Sequence, residues 1–355
     1  MKIMIRLFFL VFVSTIGFLS CEKETTFEYL AFDPVPMDLS GMPSNNLHDI
    51  AIDRNHTFYF VTIHGDVEPP YAKSCLSRRV NEADNFEIVD DRFPLLGNVF
   101  FDRNNHLWCY TSKILYKIES GSHTKIIELP DILESGLFYC LAVDNDNTIW
   151  LGGLLTGLYK IDRNLHITHY NTENSDLPTN SLNNIHIDKN NNVWIALREN
   201  QGVLKISNDK WTIYNHQNSS ITNQGIICLA TDKNNHLWIG TGWDDENQSL
   251  MCFNGEKWET INPRNDKNEV VKGMVDNIHL GGSKLYIVSR QFVRYPEGGH
   301  AISNELLTFD GARWNKVYGF PENDSSNQIG RVIVDDYRKV VWVWFGNKGI
   351  FKLPY

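Results

Sequence analysis

The chain has 355 residues, a formal net charge of −10 and 12% aromatic residues, with Trp at ten positions. An acidic balance of this size excludes nucleic acid or an anionic lipid surface as the main partner, since either needs a basic face. The aromatic content excludes a disordered chain and calls for a large packed core.

Taken in chain order, Lys2 and Arg6 precede an apolar run from Leu7 to Leu19 that stops at Ser20-Cys21. The run falls short of the roughly 20 residues a membrane span needs and has the charged-then-apolar order of a secretory signal. Phe18-Leu19-Ser20-Cys21 resembles a bacterial lipobox, which predicts a signal peptide over residues 1–20, lipidation at Cys21 and a polar tether over 21–26. The remaining cysteines, Cys75, Cys109, Cys140, Cys228 and Cys252, are odd in number and show no CxxC spacing. They read as buried thiols, with one disulfide left open.

The rest of the chain is a repeat. Leu141 begins LAVDNDNTIWLGG, Ile185 IHIDKNNNVWIAL and Leu229 LATDKNNHLWIGT, and these align without gaps. VFFDRNNHLWCYT from Val99 matches them, and IAIDRNHTFYFVT from Ile50 carries Tyr59 in place of Trp. Weaker copies start at Ile278 and Val332. The anchoring residues are Asp53, Asp102, Asp144, Asp188, Asp232, Gly281 and Asp335, spaced 42 to 54 residues apart. Short β segments at this period mean propeller blades.

Within one unit, Ile185-His186-Ile187 alternates, Asp188 to Asn192 is rich in turn formers, and Val193-Trp194-Ile195 opens the next strand. Gly202 to Ile206 and Trp211 to Tyr214 supply a third and a fourth strand. The last unit runs out after its third strand, Gly349 to Leu353, and Phe27 to Phe32 stands alone before the first. The expectation is an all-β, seven-bladed β-propeller of four-stranded blades over residues 27–355, its ring closed by an N-terminal strand that we place at Phe27–Phe32.

The units, with apolar-x-apolar-Asp, an Asn-rich turn, Leu-Trp-Ile-Gly and Gly-Leu-x-Lys-Ile, resemble two-component regulator propeller repeats. The resemblance covers residues 45–355 and is strongest in the four central copies. It implies kinship with periplasmic sensor regions and with stand-alone exported proteins.

The Asp-Asn turns are uniform, so their polar residues read as turn formers rather than metal ligands, and Trp108, Trp150, Trp194, Trp238 and Trp342 as wedges between blades. The opposite face varies from blade to blade. There, His64 to Tyr71 extends the first blade, Arg198-Glu199-Asn200 the fourth, Gly242 to Asn247 with Trp243, Asp244 and Asp245 the fifth, and Arg290 to Glu297 with Arg294 and Tyr295 the sixth. Aromatics beside charges suit sugar or peptide recognition. Four residues before each anchor, Asp49, Asn98, Cys140, Asn184, Cys228, Asn277 and Arg331 are expected to ring the central channel near this face, with His186 and His279 two places on.

These residues point to a non-catalytic, ligand-binding or sensing envelope lipoprotein, held to a membrane through Cys21 on the periplasmic side or at the outer-membrane surface. It would recognise a glycan, peptide or protein, without nucleic acid, metal or cofactor. Two alternatives stay open: a lyase or hydrolase of the streptogramin-lyase type using His186 or His279, and a scaffold subunit of an envelope complex. No HExxH, GxSxG or paired-carboxylate motif is present.

Overall fold

The computed structural model describes residues 27–29, 35–44, 46–64, 73–81, 84–94, 98–102, 104–111, 114–119, 122–128, 137–221, 225–242, 250–264, 269–271, 273–294, 300–319, 329–345 and 349–355. The expected signal peptide, the tether and Cys21 lie outside them. Among the described residues there are seven sheets built from 29 strands, antiparallel but for one parallel strand, and no helix long and apolar enough to cross a membrane.

Blade 4 shows the construction. Leu182–Ile187, Val193–Leu197, Gly202–Ser207 and Lys210–Tyr214 pair in that order, each with the next. Blades 1, 2, 3 and 5 repeat the scheme, with innermost strands Leu47–Ile52, Val99–Phe101, Leu137–Val143 and Ile226–Thr231. Blades 6 and 7 start from Met274–Gly281 and Ile329–Asp335.

Each sheet buries both faces against its neighbours, so the core is divided into inter-blade layers. Ile185, Ile187 and Ile195 of blade 4 pack against Cys140, Trp150 and Leu158 of blade 3. Trp194, Ala196 and Val203, on the other face of blade 4, pack against Leu229, Leu237 and Ile239 of blade 5. The five repeated Trp are wedges in such layers, none more than 7% exposed. Close approach is enforced at Gly152, where a Cβ would stand 2.5 Å from Leu182 Cδ1.

The ring is closed by the N-terminal segment, but not through the strand expected from the sequence. Val35–Pro36 pairs antiparallel with Phe351 and Lys352 and supplies the fourth strand of blade 7, extended by the Met37 N–H donating to Ile350 O at 2.7 Å. Phe27–Tyr29 instead adds in parallel to Trp314–Lys316, making blade 6 five-stranded. Both strands cover an outer edge that would otherwise be open to pairing.

Candidate functional site

The anchoring aspartates set one face. Asp188 Oδ1 accepts the backbone N–H groups of Asn190 and Asn192, and Oδ2 accepts the indole N–H of Trp194 at 2.9 Å. The same pairing joins Asp102 to Trp108, Asp144 to Trp150 and Asp232 to Trp238, at 2.9, 3.0 and 3.3 Å. Three residues after the anchor, His56, Asn105, Asn147, Asn191 and Asn235 all have φ between 60° and 66°, the left-handed region that Asn tolerates best among residues with a side chain. Adjoining turns are then stitched together: the N–H groups of Arg54, Asn145 and Lys189 donate to the side-chain oxygens of Asn105, Asn191 and Asn235, each at 2.8 Å. The turn carboxylates are thus consumed by structure.

The opposite end of six of the seven innermost strands carries a feature that the sequence did not announce. In blades 1, 3, 4, 5, 6 and 7 the pairing slips by one residue, at His48, Tyr139, Asn183, Ile227, Asp276 and Gly330. A bulge of this kind reverses side-chain parity, so Leu182 and Ile185 are both buried although three residues apart. At two bulges the freed side chain pairs with an arginine of its own blade, and Asn183 also donates through Nδ2 to Ile226 O of blade 5 at 2.6 Å. Asn183 Oδ1 accepts from Arg198 Nη1 at 3.1 Å, and Asp276 Oδ2 pairs with Arg290 Nη2 at 2.6 Å. Burial pushes the Asp276 carboxyl above its ordinary value, against the pull of Arg290.

Where the bulges end, the channel begins. Asp49 is 2% exposed; Oδ1 accepts the Ile50 N–H and is ion-paired with Arg331 of blade 7, and Oδ2 accepts the Val99 N–H at 2.9 Å and Asn98 Nδ2 at 3.3 Å. One carboxylate thereby ties blades 7, 1 and 2 together. Tyr110, a residue the sequence reading missed, donates its hydroxyl to Asn98 Oδ1 at 3.3 Å, and its phenol is raised by burial above the ordinary range. Asn98, Tyr110, Cys140, Asn184 and Arg331 border a cavity of about 220 Å³. A second cavity, about 290 Å³, continues past Arg331 along Ile50, Phe101 and His279. Burial first, and then the Arg331 cation, lower the His279 pKa to about 3, and Nε2 is buried without a partner.

The expected site residues therefore divide. Asp49, Asn98 and Arg331 form one bonded cluster, and Asn184 faces the same cavity. Asn277 Oδ1 accepts the Ile278 N–H at 3.0 Å. His186 Nε2 meets Thr231 Oγ1 of blade 5 at 2.8 Å, and Cys228 Sγ turns to Val275 O at 3.4 Å. Glu199 sits with Asn200 at the exposed tip of a hairpin, φ 57° and 60°. Arg294 closes the strand Lys284–Arg294. Trp243, Asp244, Asp245 and Tyr295 lie outside the described residues. Among the described residues, no three His, Cys, Asp or Glu side chains gather as a metal site would require.

Comparison with known proteins agrees with this architecture. Residues 220–243, the start of blade 5, match the two component regulator propeller family. No curated protein matches the chain. The chain is similar in fold to the extracellular domain of BT4673 from B. thetaiotaomicron, described as a one component system, with TM-score 0.62 and 15% identity over 92% of this chain and 42% of that one. It thus spans less than half of that domain. It is also similar to virginiamycin B lyase from Staphylococcus aureus, with TM-score 0.59 and 12% identity over 91% of this chain and 98% of that one. YCF48 bound to D1 peptide gives TM-score 0.56 and 12% identity over 92% and 98% of the two chains. At these identities the likeness is one of fold. The chain is a seven-bladed β-propeller that carries a repeat of the two component regulator propeller family.

Proposed function

We propose that the protein is a non-catalytic recognition propeller of the cell envelope, lipid-anchored through Cys21. It takes a glycan, peptide or protein segment at the channel mouth and on the loops around it. The observation that carries this reading is the contrast between the two ends of the blades. At one end the polar groups are spent on repeated turn bonds. At the other, Asn98 and Tyr110 of blade 2, Asn184 of blade 4 and Arg331 of blade 7, drawn from three blades, converge on one cavity of about 220 Å³. Convergent polar groups on an otherwise apolar wall are the usual make-up of a recognition pocket. YCF48, a propeller of similar fold, is described with a bound peptide, and BT4673 as an extracellular domain. Both support an exported binding role.

The test is a thermal-shift screen of the intact mature protein against glycan and peptide libraries, with Asn184→Leu as control. Ligand at about 100 times its dissociation constant adds roughly 2.7 kcal/mol of stability. A shift in the parent that Asn184→Leu abolishes supports the channel site. Shifts that Asn184→Leu leaves intact place binding elsewhere and overturn this reading of the channel.

A further inference from the structure

Blade 5 breaks a rule that the other Trp-bearing blades keep. In blades 2, 3, 4 and 7 the residue paired with the Trp from the third strand is a lysine, and its ammonium lies over the indole: Lys205 over Trp194 at 4.9 Å, Lys160 over Trp150 at 5.3 Å, Lys352 over Trp342 at 5.5 Å and Lys117 over Trp108 at 5.9 Å. In blade 5 the partner of Trp238 is Cys252, and among the described residues no cation lies over that ring.

The space is open because blade 6 has lost its turn cassette. Gly281 and Gly282 replace the Asp-led turn, and the chain reverses through a two-residue turn between Gly281 and Lys284. Packing on the far side explains the glycines: a Cβ on Gly281 would stand 2.3 Å from Val334 Cγ1, and Gly282, with φ 57°, lies against the C-terminal Tyr355. On the near side, Lys284 stands where other turns offer an Asn oxygen to their neighbour, so the stitching of adjacent turns has no counterpart there. A cleft of about 400 Å³ results, with Trp238, Cys252 and Phe309 in its wall. Asp232, Glu259 and Asp310 line it as well, against two lysines, Lys233 and Lys284, at the turn end.

We propose that this cleft binds an organic ammonium group, held over Trp238 in the position that the other blades fill with their own lysine. Indole is the best ring for such an interaction, and partial desolvation strengthens it. Glu259 and Asp310, each in a partly exposed ion pair, with Lys257 at 2.5 Å and Arg313 at 3.4 Å, border the same cleft and add negative charge beside the bound cation. The site lies on the turn face, away from the channel mouth, and stands independently of recognition there.

The experiment is ¹⁹F NMR of the intact protein labelled with 5-fluorotryptophan, the Trp238 resonance being assigned through Trp238→Phe. Choline and N-acetyl-lysine amide are titrated as quaternary and primary ammonium probes, with 3,3-dimethylbutanol as the neutral shape-match of choline. The expected result is a saturable shift of the Trp238 resonance by one or both cations, at least tenfold tighter than any effect of the alcohol. Cys252→Lys supplies the missing ammonium from the chain itself, so its Trp238 signal no longer responds. Glu259→Gln, on the exposed outer strand, keeps the fold and weakens cation binding several-fold. The proposal is overturned if neither cation shifts Trp238, if the alcohol matches choline, if folded Cys252→Lys still binds, or if Glu259→Gln changes nothing.

Discussion

Asp188 and Trp194 are joined by a 2.9 Å hydrogen bond from the indole N–H to Oδ2, and the same carboxylate holds the turn between them through the Asn190 and Asn192 N–H groups and Asn192 Nδ2. Asp188 is 2% exposed, so truncation leaves several donors buried without an acceptor. Asp188→Ala is expected to cost about 3 kcal/mol or more, since each orphaned buried group costs roughly 1–3 kcal/mol. Asp188→Asn keeps the shape but sets an amide against other donors, and costs about half as much. Guanidinium unfolding monitored by Trp fluorescence checks the order Ala worse than Asn.

Two pH windows follow from the buried titrating groups. His279 has its folded pKa lowered to about 3 by burial and by Arg331, well below the unfolded value near 6.5. A depressed histidine pKa means that the unfolded chain takes up the proton first, so stability present above pH 6.5 is lost as pH falls toward 3. Below about pH 4 a second loss begins. Burial alone would raise Asp102 and Asp188. Hydrogen bonds outweigh it, from Trp108 and His106 to Asp102 and from Asn192, Trp194 and the Asn190 N–H to Asp188, and both carboxyls end below the ordinary value. Their contribution disappears as pH drops through the folded pKa. Denaturation midpoints at pH 7, 5 and 3 tell the two apart: His279→Gln flattens both intervals, whereas Asp102→Asn with Asp188→Asn flattens only the second.

The ion pair of Asp49 and Arg331 predicts strong coupling across the ring closure. Removing the arginine leaves a carboxylate that is 2% exposed without its cation, a change that typically costs 3–5 kcal/mol. Arg331→Leu is therefore expected to lower stability by about that amount. Adding Asp49→Asn recovers part of it, because the neutral amide leaves no unpaired charge and still accepts the Val99 N–H, while its NH2 then faces the Ile50 N–H. A double-mutant cycle by guanidinium denaturation reads the coupling, and additive effects would refute it.

The contrast between Asp188 and Asp276 shows what the sequence made legible. Asp188 stands in a cassette repeated at fixed offsets, so the blade count, the turn face and the Trp wedges could be read directly. Asp276 sits at a β-bulge, which has no composition of its own. The six bulged residues are His, Tyr, Asn, Ile, Asp and Gly, and only pairing across strands identifies them. For the same reason the channel residues Asp49, Asn98 and Arg331 were identified by spacing, but their mutual bonding was not. Tyr110 went unnoticed because it ends a second strand rather than a first. The closing strand was misplaced because Phe27–Phe32 is the better alternating segment, whereas Val35–Pro36 pairs over only two residues.

That short closure makes truncation informative. A chain beginning at Met37 loses the pairing of Val35 with Lys352 and the parallel strand on blade 6, and leaves the outer edges of Gly349–Pro354 and Trp314–Gly319 bare. Exposed edges of this length pair with other chains. Light scattering after size exclusion is expected to show oligomers for the truncated chain and a smaller particle for the mature one.

The thiols supply the last prediction. Cys75, Cys109, Cys140, Cys228 and Cys252 are all free and none is more than 8% exposed. Burial raises every one: Cys75 to about 11, Cys109 and Cys252 to about 12, and Cys140 and Cys228 further still. Only the thiolate attacks Ellman's reagent, so at pH 8 the native protein is expected to react slowly, and in 6 M guanidinium all five thiols react at once. Cys252 borders the open cleft beside Trp238 and is the one expected to react first in the native state. Peptide mapping after brief alkylation identifies it, and earlier labelling of Cys140 or Cys228 would mean that the inter-blade layers open more readily than their packing implies.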